Sequence, residues 1–223
     1  MSEILVSCLT VTRQRVPQLA RAVECFRKQT VASRELVIVY DADDRDSARY
    51  VEGLEDPQIR GIEVAKRPRL GWLRNIAVAN AKGAFVAQWD DDDWSSPDRL
   101  QAQLQALRRS GKAACVLSRW TVFDASTGRA YLSYDRAWEG SLLARRDAIT
   151  SYDGSLSRAE DTPVVNELVA RDELVLLKRP DLYVYVFHGK NTWETDHFED
   201  LLARSLALSE RKSRSVAAQL ALT

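Results

Sequence analysis

Short apolar runs alternate with amphipathic segments along the first half of the chain. Four runs rich in Val, Ile and Leu predict buried strands at 4–11, 35–40, 59–64 and 84–89. Apolar residues recur at helical spacing in the segments that begin at Pro17, Leu70 and Pro97. Strands that alternate with helices in this way indicate an α/β fold, with a mainly parallel central sheet flanked by helices.

The alternation stops after Gly111. Further short strands are predicted at 113–119, 120–124, 130–134, 174–177 and 182–187, and further helices at 160–170 and 195–208. We interpret the chain as one domain with a first half at 1–111, a second half at 112–208 and a carboxyl-terminal tail at 209–223. The tail is either a frayed helix or a partner-binding segment, and its terminal position favours fraying.

Composition excludes several classes of protein. Lys plus Arg and Asp plus Glu both number 32, so no overall charge draws the chain to nucleic acid or to an anionic membrane. Three widely spaced cysteines (Cys8, Cys25 and Cys115) predict no disulfide framework, and the amino terminus lacks the pattern of a signal peptide. We therefore expect a cytoplasmic protein, with peripheral contact at the inner face of the membrane left open.

Four adjacent carboxylates, Asp90 to Asp93, directly follow the predicted strand at 84–89. Their mutual repulsion at a strand end is costly unless a cation or water neutralises it, and oxygen ligands of this kind suit Mg²⁺ or Mn²⁺. The alternative is a solvated acidic turn. Ligands of parallel sheets sit beyond the carboxyl ends of the strands. This position favours the metal site, and it places the acidic run at the same edge of the sheet as Asp41, at the end of the second strand.

The combined pattern resembles a family 2 glycosyltransferase. The resemblance rests on Gly71, Arg74 and Asn75, on the acidic run Asp90 to Asp93, and on Pro97 with Arg99 and Leu100, in that order and spacing. It is close in the first half of the chain and looser in the second. It implies the GT-A fold of nucleotide-diphospho-sugar transferases, with the donor bound by 1–111 and the acceptor and catalytic base held by 112–208.

The resemblance also implies a role for each matching residue. Asp92 would bind the metal that bridges the donor diphosphate, Asp90 would lie near the ribose or sugar, and Asp93 would bind sugar hydroxyls or support the site. The remaining nucleotide contacts would come from Thr10, Arg13, Asp41 and Arg74. Two alternatives stay open: Asp41 could cap the following helix, and Arg74 could simply pair with the acidic loop.

A second acidic pair, Glu160-Asp161, resembles the ED motif that supplies the catalytic base in inverting members of the family. An acceptor hydroxyl must lose its proton as it attacks, which gives Asp161 the role of base and Glu160 a role in acceptor binding or loop orientation. On local sequence alone, both residues equally suit the start of the following helix.

His188 follows an apolar strand, and its position resembles a late histidine that some GT-A enzymes use as a further metal ligand. The alternative is a structural, hydrogen-bonding histidine. Lys190 and Asn191 could contact the diphosphate as this loop closes. Trp138 is a candidate wall for the acceptor.

These residues predict an inverting, metal-dependent transfer of sugar from a nucleotide diphosphate donor to an acceptor hydroxyl. The acid at Asp41 and the resemblance favour a UDP-sugar, while saccharide, lipid-linked and small-molecule acceptors all stay open. A nucleotidyltransferase is a weaker alternative because its usual glycine-rich loop is missing from Thr10 to Pro17. A catalytically silent nucleotide-sugar-binding protein is the third hypothesis.

Overall fold

The computed structural model describes residues 5–65, 69–189, 191–193 and 195–221. In the first half of the chain the elements are β1 (Val6–Thr12), α1 (Val16–Arg27), β2 (Arg34–Asp41), α2 (Arg45–Glu52), β3 (Ile59–Val64), α3 (Leu70–Asn80), β4 (Phe85–Gln88), β5 (Trp94–Ser95) and α4 (Arg99–Ser110). In the second half they are β6 (Ala114–Leu117), β7 (Thr121–Asp124), β8 (Arg129–Leu132), β9 (Trp138–Arg145), α5 (Thr162–Ala170), β10 (Leu174–Leu177), β11 (Tyr183–Phe187), α6 (Thr195–Ala203), β12 (Leu206–Ala207) and α7 (Glu210–Ala221).

The larger sheet has the order β10-β6-β9-β4-β1-β2-β3 among the described residues. Its neighbouring strands pair in parallel except at β9, which runs antiparallel to both β4 and β6. The sheet is therefore mixed and mostly parallel, and it takes strands from both halves of the chain. The predicted α/β class is confirmed.

Helices cover both faces of this sheet because each presents one apolar face. Leu19, Val23 and Phe26 of α1 are buried with α4 residues in a cluster on one side. On the other side Ala77 of α3 joins Val165 of α5 in a second cluster. The continuous apolar runs of β1 and β2 follow from this arrangement, since a strand covered on both faces has no solvent side.

A smaller sheet has the order β12-β8-β7-β11-β5 among the described residues. β5 comes directly after the acidic run and pairs antiparallel with β11, which in turn pairs in parallel with β7. The run Asp90 to Asp93 therefore connects the end of β4 in the larger sheet to the beginning of β5 in the smaller one.

The prediction that the tail frays is wrong. It forms α7, whose Val216 and Leu220 pack against Phe123 and Val186 of the smaller sheet. The Ser213 hydroxyl accepts a 3.0 Å hydrogen bond from the backbone N–H of Ala130. Small and apolar residues at helical spacing thus form the face by which α7 packs on the sheet, while its other positions are polar.

Two further expectations need correction. The helix predicted over 195–208 ends at Ala203, and the chain then forms the short strand β12. The helix predicted from residue 160 begins at Thr162, which leaves Glu160 and Asp161 in the loop before α5. β9 was not predicted. The first residue of the strand predicted over 4–11 lies outside the described residues.

Candidate active site

The acidic loop is held at the junction of the two sheets by a buried arginine. Arg99 donates to the carbonyl of Gln88 and to the Ser95 hydroxyl, both at 2.9 Å, so it ties the end of β4 to β5. Its guanidinium also lies over the rings of Trp89 and Tyr183. The Pro97-to-Leu100 segment noted in the sequence therefore fixes the position of the four aspartates.

Two of the four aspartates are bound to the scaffold. The Asp91 carboxylate accepts from the Thr12 hydroxyl at 2.6 Å, and the Asp93 carboxylate accepts from the Val186 N–H at 2.9 Å and from the Tyr183 hydroxyl. Burial, with Asp92 nearby, raises the pKa of Asp91 to about 7, and the same causes raise the pKa of Asp93 well above its ordinary value. These two side chains brace the loop, which is one of the two roles that the sequence left open for Asp93.

Asp92 is the aspartate that meets the histidine. Its Oδ2 lies 3.1 Å from His188 Nε2, and the Asn191 amide donates to the same oxygen at 3.4 Å. Arg15 Nη1, which was not singled out in the sequence, lies 3.0 Å from this oxygen and 3.3 Å from Asp91 Oδ1. Lys190 lies outside the described residues.

The pair Asp92 and His188 suits a divalent cation. Within the described part of the chain, no group of three or more His, Cys, Asp or Glu side chains could hold a metal ion. Mg²⁺ and Mn²⁺ sites in transferases commonly take one or two protein ligands and complete their coordination with water and phosphate oxygens. Asp92 lines the cavity and His188 lies beside it, so the two could supply such ligands once Arg15 leaves the Asp92 carboxylate.

Asp90 is linked to the second acidic pair through Arg74. Arg74 Nη2 lies 2.5 Å from Asp90 Oδ1, and Arg74 Nε lies 3.1 Å from Glu160 Oε1. Gly71 permits this approach of α3, because a Cβ there would lie 2.0 Å from the carbonyl oxygen of Asp153. Arg74 thus pairs with both acidic loops, which was the alternative to a direct phosphate contact.

Asp161 occupies the N-cap position of α5, but its side chain makes no cap hydrogen bond. It accepts instead from Gln88 Nε2 at 3.1 Å, and the same nitrogen lies 3.3 Å from Asp90 Oδ2. Burial, followed by the charge of Glu160, raises the pKa of Asp161 to about 7. A carboxyl group with that pKa can accept a proton near neutral pH.

These groups share one cavity of about 430 Å³. Asp90, Asp92, Arg74, Glu160 and Asp161 all contribute to its lining. Its aromatic side is formed by Trp120, Trp138, Tyr185, Trp193 and His197. The Trp120 and Trp138 rings stack at 4.6 Å, and the Trp193 and His197 rings stack at 4.4 Å. Trp138 is therefore part of a wall, as expected, and His197 belongs to the same wall, which the sequence did not indicate.

Three predicted nucleotide contacts do not line this cavity. Thr10 is fully buried and its hydroxyl donates to the Trp89 carbonyl at 2.7 Å, so its side chain supports the strand end rather than facing the cavity. Arg13 and Asp41 form an ion pair at 3.3 Å at the end of β2, across β1 from the acidic loop. The N-cap of α2 is Asp44, whose side chain accepts from the Ser47 N–H, so Asp41 is not that cap.

The site also contains residues that sequence reasoning missed. Gln88, Arg15 and Tyr183 contact Asp161, Asp92 and Asp93 respectively. The position of Gln88, two residues before Asp90, was the one sign in the sequence that it belongs to the site. Arg15 and Tyr183 are distant in sequence from the aspartates that they contact, and no local pattern marks them.

The comparison with known protein families agrees with the geometry of the site. The model described as Glycosyl transferase family 2 matches residues 7–157, more than half of the chain. The chain belongs to this family. Among curated relatives of this family 2 chain, the succinoglycan biosynthesis protein ExoM of Rhizobium meliloti (strain 1021) is 33% identical over 120 residues, which cover 52% of the chain and 39% of ExoM. The succinoglycan biosynthesis protein ExoO of the same organism is 29% identical over 98 residues, which cover 44% of the chain and 28% of ExoO. The chain thus matches well under half the length of these curated relatives.

Solved structures support the GT-A fold. The S. aureus TarS 1-349 complex with UDP-GlcNAc matches this family 2 chain with a TM-score of 0.72 at 13% identity, covering 84% of the chain and 60% of that structure. The Pyrobaculum calidifontis mannosyltransferase PcManGT, in complex with GDP-Man and Mn²⁺, matches with a TM-score of 0.63 at 16% identity, covering 82% of the chain and 56% of that structure. Among the described residues, no helix has both the length and the apolar character needed to cross a bilayer.

Proposed function

We propose that this family 2 chain is an inverting, metal-dependent glycosyltransferase that uses a nucleotide diphosphate sugar. The observation that supports the proposal is that Asp92 and Asp161 line one cavity of about 430 Å³, and that Asp92 lies 3.1 Å from His188. Such a cavity is large enough for a donor sugar and part of an acceptor. The acidic loop and the aromatic wall line it from different sides.

Asp161 accepts the proton of the acceptor hydroxyl in this scheme. The hydroxyl oxygen forms a bond to the anomeric carbon, the bond from that carbon to the diphosphate oxygen breaks, and its electron pair leaves with the nucleoside diphosphate. A divalent cation held by Asp92 and His188 would neutralise the charge that develops on the diphosphate. One base and one cation suffice, because the leaving group needs no proton.

A UDP-sugar is the proposed donor. The Asp41 carboxylate at the end of β2 can accept from the N3–H of uracil once Arg13 moves aside, and it can also accept from the N1–H of guanine. The structural relatives were solved with UDP-GlcNAc and with GDP-Man, so both bases belong in the test. The curated relatives act in the synthesis of succinoglycan, which supports a saccharide acceptor in polysaccharide or glycoconjugate synthesis.

The test is calorimetric titration of UDP, GDP and dTDP, each with Mn²⁺ and with EDTA. We expect one nucleotide to bind only with Mn²⁺, and Asp92→Asn to abolish that binding. Asp161→Asn should retain nucleotide binding and lose sugar transfer by at least a hundredfold, a typical loss for a general base. Asp98→Asn, at an exposed position near the acidic loop, is the matched control that should leave both unchanged.

The opposing outcomes are distinct. Normal transfer by a folded Asp161→Asn variant would remove the base from the proposal. Manganese-dependent nucleotide binding without transfer or hydrolysis of any nucleotide sugar would instead support the catalytically silent binding protein.

A further inference from the structure

The outer edge of β10 has no strand partner among the described residues. β10 lies at one end of the larger sheet and pairs in parallel with β6 on its other side. The carbonyls of Glu173 and Leu177 accept hydrogen bonds on that β6 side. A residue of a parallel strand directs both backbone groups to one side, so the intervening Leu174 and Leu176 direct theirs outward. The edge therefore offers unpaired donors and acceptors to a further strand.

This edge is apolar as well as unpaired. Leu176 is 52% exposed, and Val169 at the end of the adjoining helix α5 is 54% exposed. Leu174, on the same face of the strand as Leu176, packs against the cluster that contains Leu168 of α5. Leu176 and Val169 thus extend the buried apolar surface outward, past the last strand. An exposed edge strand with apolar side chains can serve as a template for pairing with another chain.

The charges around β10 are ordered along the strand. Acidic residues, Asp172 and Glu173, come directly before it, and basic residues, Lys178 and Arg179, come directly after it. Two such strands that run antiparallel place the acidic end of each beside the basic end of the other. The same two strands in parallel would place like charges together. The segment is therefore complementary to a second copy of itself in one orientation.

We propose that β10 pairs antiparallel with β10 of a second copy of this chain, about a two-fold axis beside Val175. In this register the outward backbone groups of Leu174 face those of Leu176 in the other copy, and the reverse pair repeats across the axis. Asp172, in the turn before β10, and Lys178, directly after β10, then come beside each other across the two copies, twice per dimer. The larger sheets of the two copies become one continuous sheet.

The charged side chains that come together in this register are exposed to solvent. The Asp172 side chain is 95% exposed, although it pairs with Lys112, and the Lys178 side chain is 69% exposed at 4.0 Å from Asp135. Glu173, by contrast, accepts from the Ala113 N–H of its own chain. The edge thus keeps an acid and a base accessible at opposite ends of the strand.

The first test is the mass of the full chain in solution, by sedimentation equilibrium over a range of concentrations. We expect a reversible dimer, and we expect Leu176→Asp to raise its dissociation constant by at least tenfold. The matched control is Leu206→Asp, which changes a leucine that is 66% exposed on β12, at the edge of the smaller sheet. A monomeric wild-type chain at all concentrations, or a dimer lost through Leu206→Asp and not through Leu176→Asp, would overturn the proposal.

A charge exchange separates the pairing from effects on folding. Lys178→Asp places two aspartates opposite each other, and Asp172→Lys places two lysines opposite each other, so each variant alone should be monomeric. Their mixture restores Asp172 opposite Lys178 at one end and the exchanged pair at the other, so it should form a heterodimer. Recovery of the dimer also shows that both variants are folded. Two variants that stay monomeric when mixed, or that each dimerise alone, would contradict the β10 register.

Discussion

At the scale of single residues, Gln88 connects the two carboxylates on which the proposed chemistry depends. Its Nε2 lies within hydrogen-bond distance of both Asp161 Oδ2 and Asp90 Oδ2, at 3.1 and 3.3 Å. The hydrogen bond to Asp161 favours the carboxylate and so opposes the rise in pKa that burial and Glu160 cause. In the proposed mechanism, Gln88 is therefore a positioning residue that keeps Asp161 available as the base near neutral pH.

The first prediction concerns Gln88→Leu. Loss of the hydrogen bond should raise the pKa of Asp161 above about 7, so a larger share of the base is protonated at neutral pH. We expect kcat at pH 7 to fall about tenfold, the effect of one hydrogen bond to a charged group, and the acidic limb of the pH–rate profile to move to higher pH. Nucleotide affinity with Mn²⁺ should be unchanged.

The measurement is kcat and KM from pH 5 to pH 9, with exposed Gln101→Leu as the control. A purely structural role for Gln88 would lower activity by the same factor at every pH. That result, with the position of the acidic limb unchanged, would contradict the link to Asp161.

At the scale of elements, the sequence predicted those that carry their own signal and missed those that do not. β1 and β2 are continuous apolar runs, and the buried faces of α1 and α3 repeat at helical spacing. β9 has Glu139, Gly140 and Ser141 buried near its beginning, which break the apolar run. Ser141 is tolerated there because its hydroxyl donates to the Trp138 carbonyl and accepts from the Leu117 N–H. Those partners exist only after the sheet has formed.

The residues of the candidate site also divide into those that the sequence predicts and those that it does not. Asp90 to Asp93 and Glu160-Asp161 are visible in the sequence because each is a local cluster of acids at the end or beginning of an element. The aromatic wall is not visible, because its members come from β9, β11, α6 and the segments before β7 and α6, and they meet only in three dimensions. The tail was misjudged for a related reason: the apolar stripe of α7 is short, and its stability comes from docking rather than from helix propensity.

The second prediction concerns the docking of α7. Val216→Asp places a carboxylate in the apolar cluster with Val184 and Val186. We expect a loss of about 2 kcal/mol or more in the free energy of unfolding, since burial of an unpaired charge is among the costliest single changes. Ala218→Asp, on the exposed face of the same helix, is the matched control and should change stability by less than about 0.5 kcal/mol.

The measurement is unfolding in urea, followed by circular dichroism. Equal stability of the two variants would mean that α7 does not dock on the smaller sheet in solution. A loss confined to Val216→Asp would show that the tail is part of the folded domain.

At the scale of the whole molecule, the acidic loop is the place where the two sheets are joined. The larger sheet supplies β4 and Thr12 on one side of the loop, and Arg15 at the start of α1 adds a further contact. The smaller sheet supplies Tyr183 and the Val186 N–H on the other side, and His188 follows its strand β11. A cation and a diphosphate bound at this junction would contact groups from both sheets at once. Binding of the two together should therefore stabilise the whole domain more than either does alone.

The third prediction is that Mn²⁺ and the cognate nucleotide raise the melting temperature by more than the sum of their separate effects. At a hundredfold excess over the dissociation constant, binding is worth about 2.7 kcal/mol, enough for a shift of a few degrees in a domain of this size.

His188→Ala removes one proposed ligand and should abolish the excess shift. His197→Ala removes the other histidine of the chain, which lies 4.4 Å from the Trp193 ring in the aromatic wall and holds no metal in the proposal, so the excess should persist. If both variants keep the excess, the cation is held by Asp92 and phosphate without His188, and the imidazole only orders the Asp92 carboxylate. If both lose it, the two histidines act through a shared closure of the α6 region rather than through metal ligation.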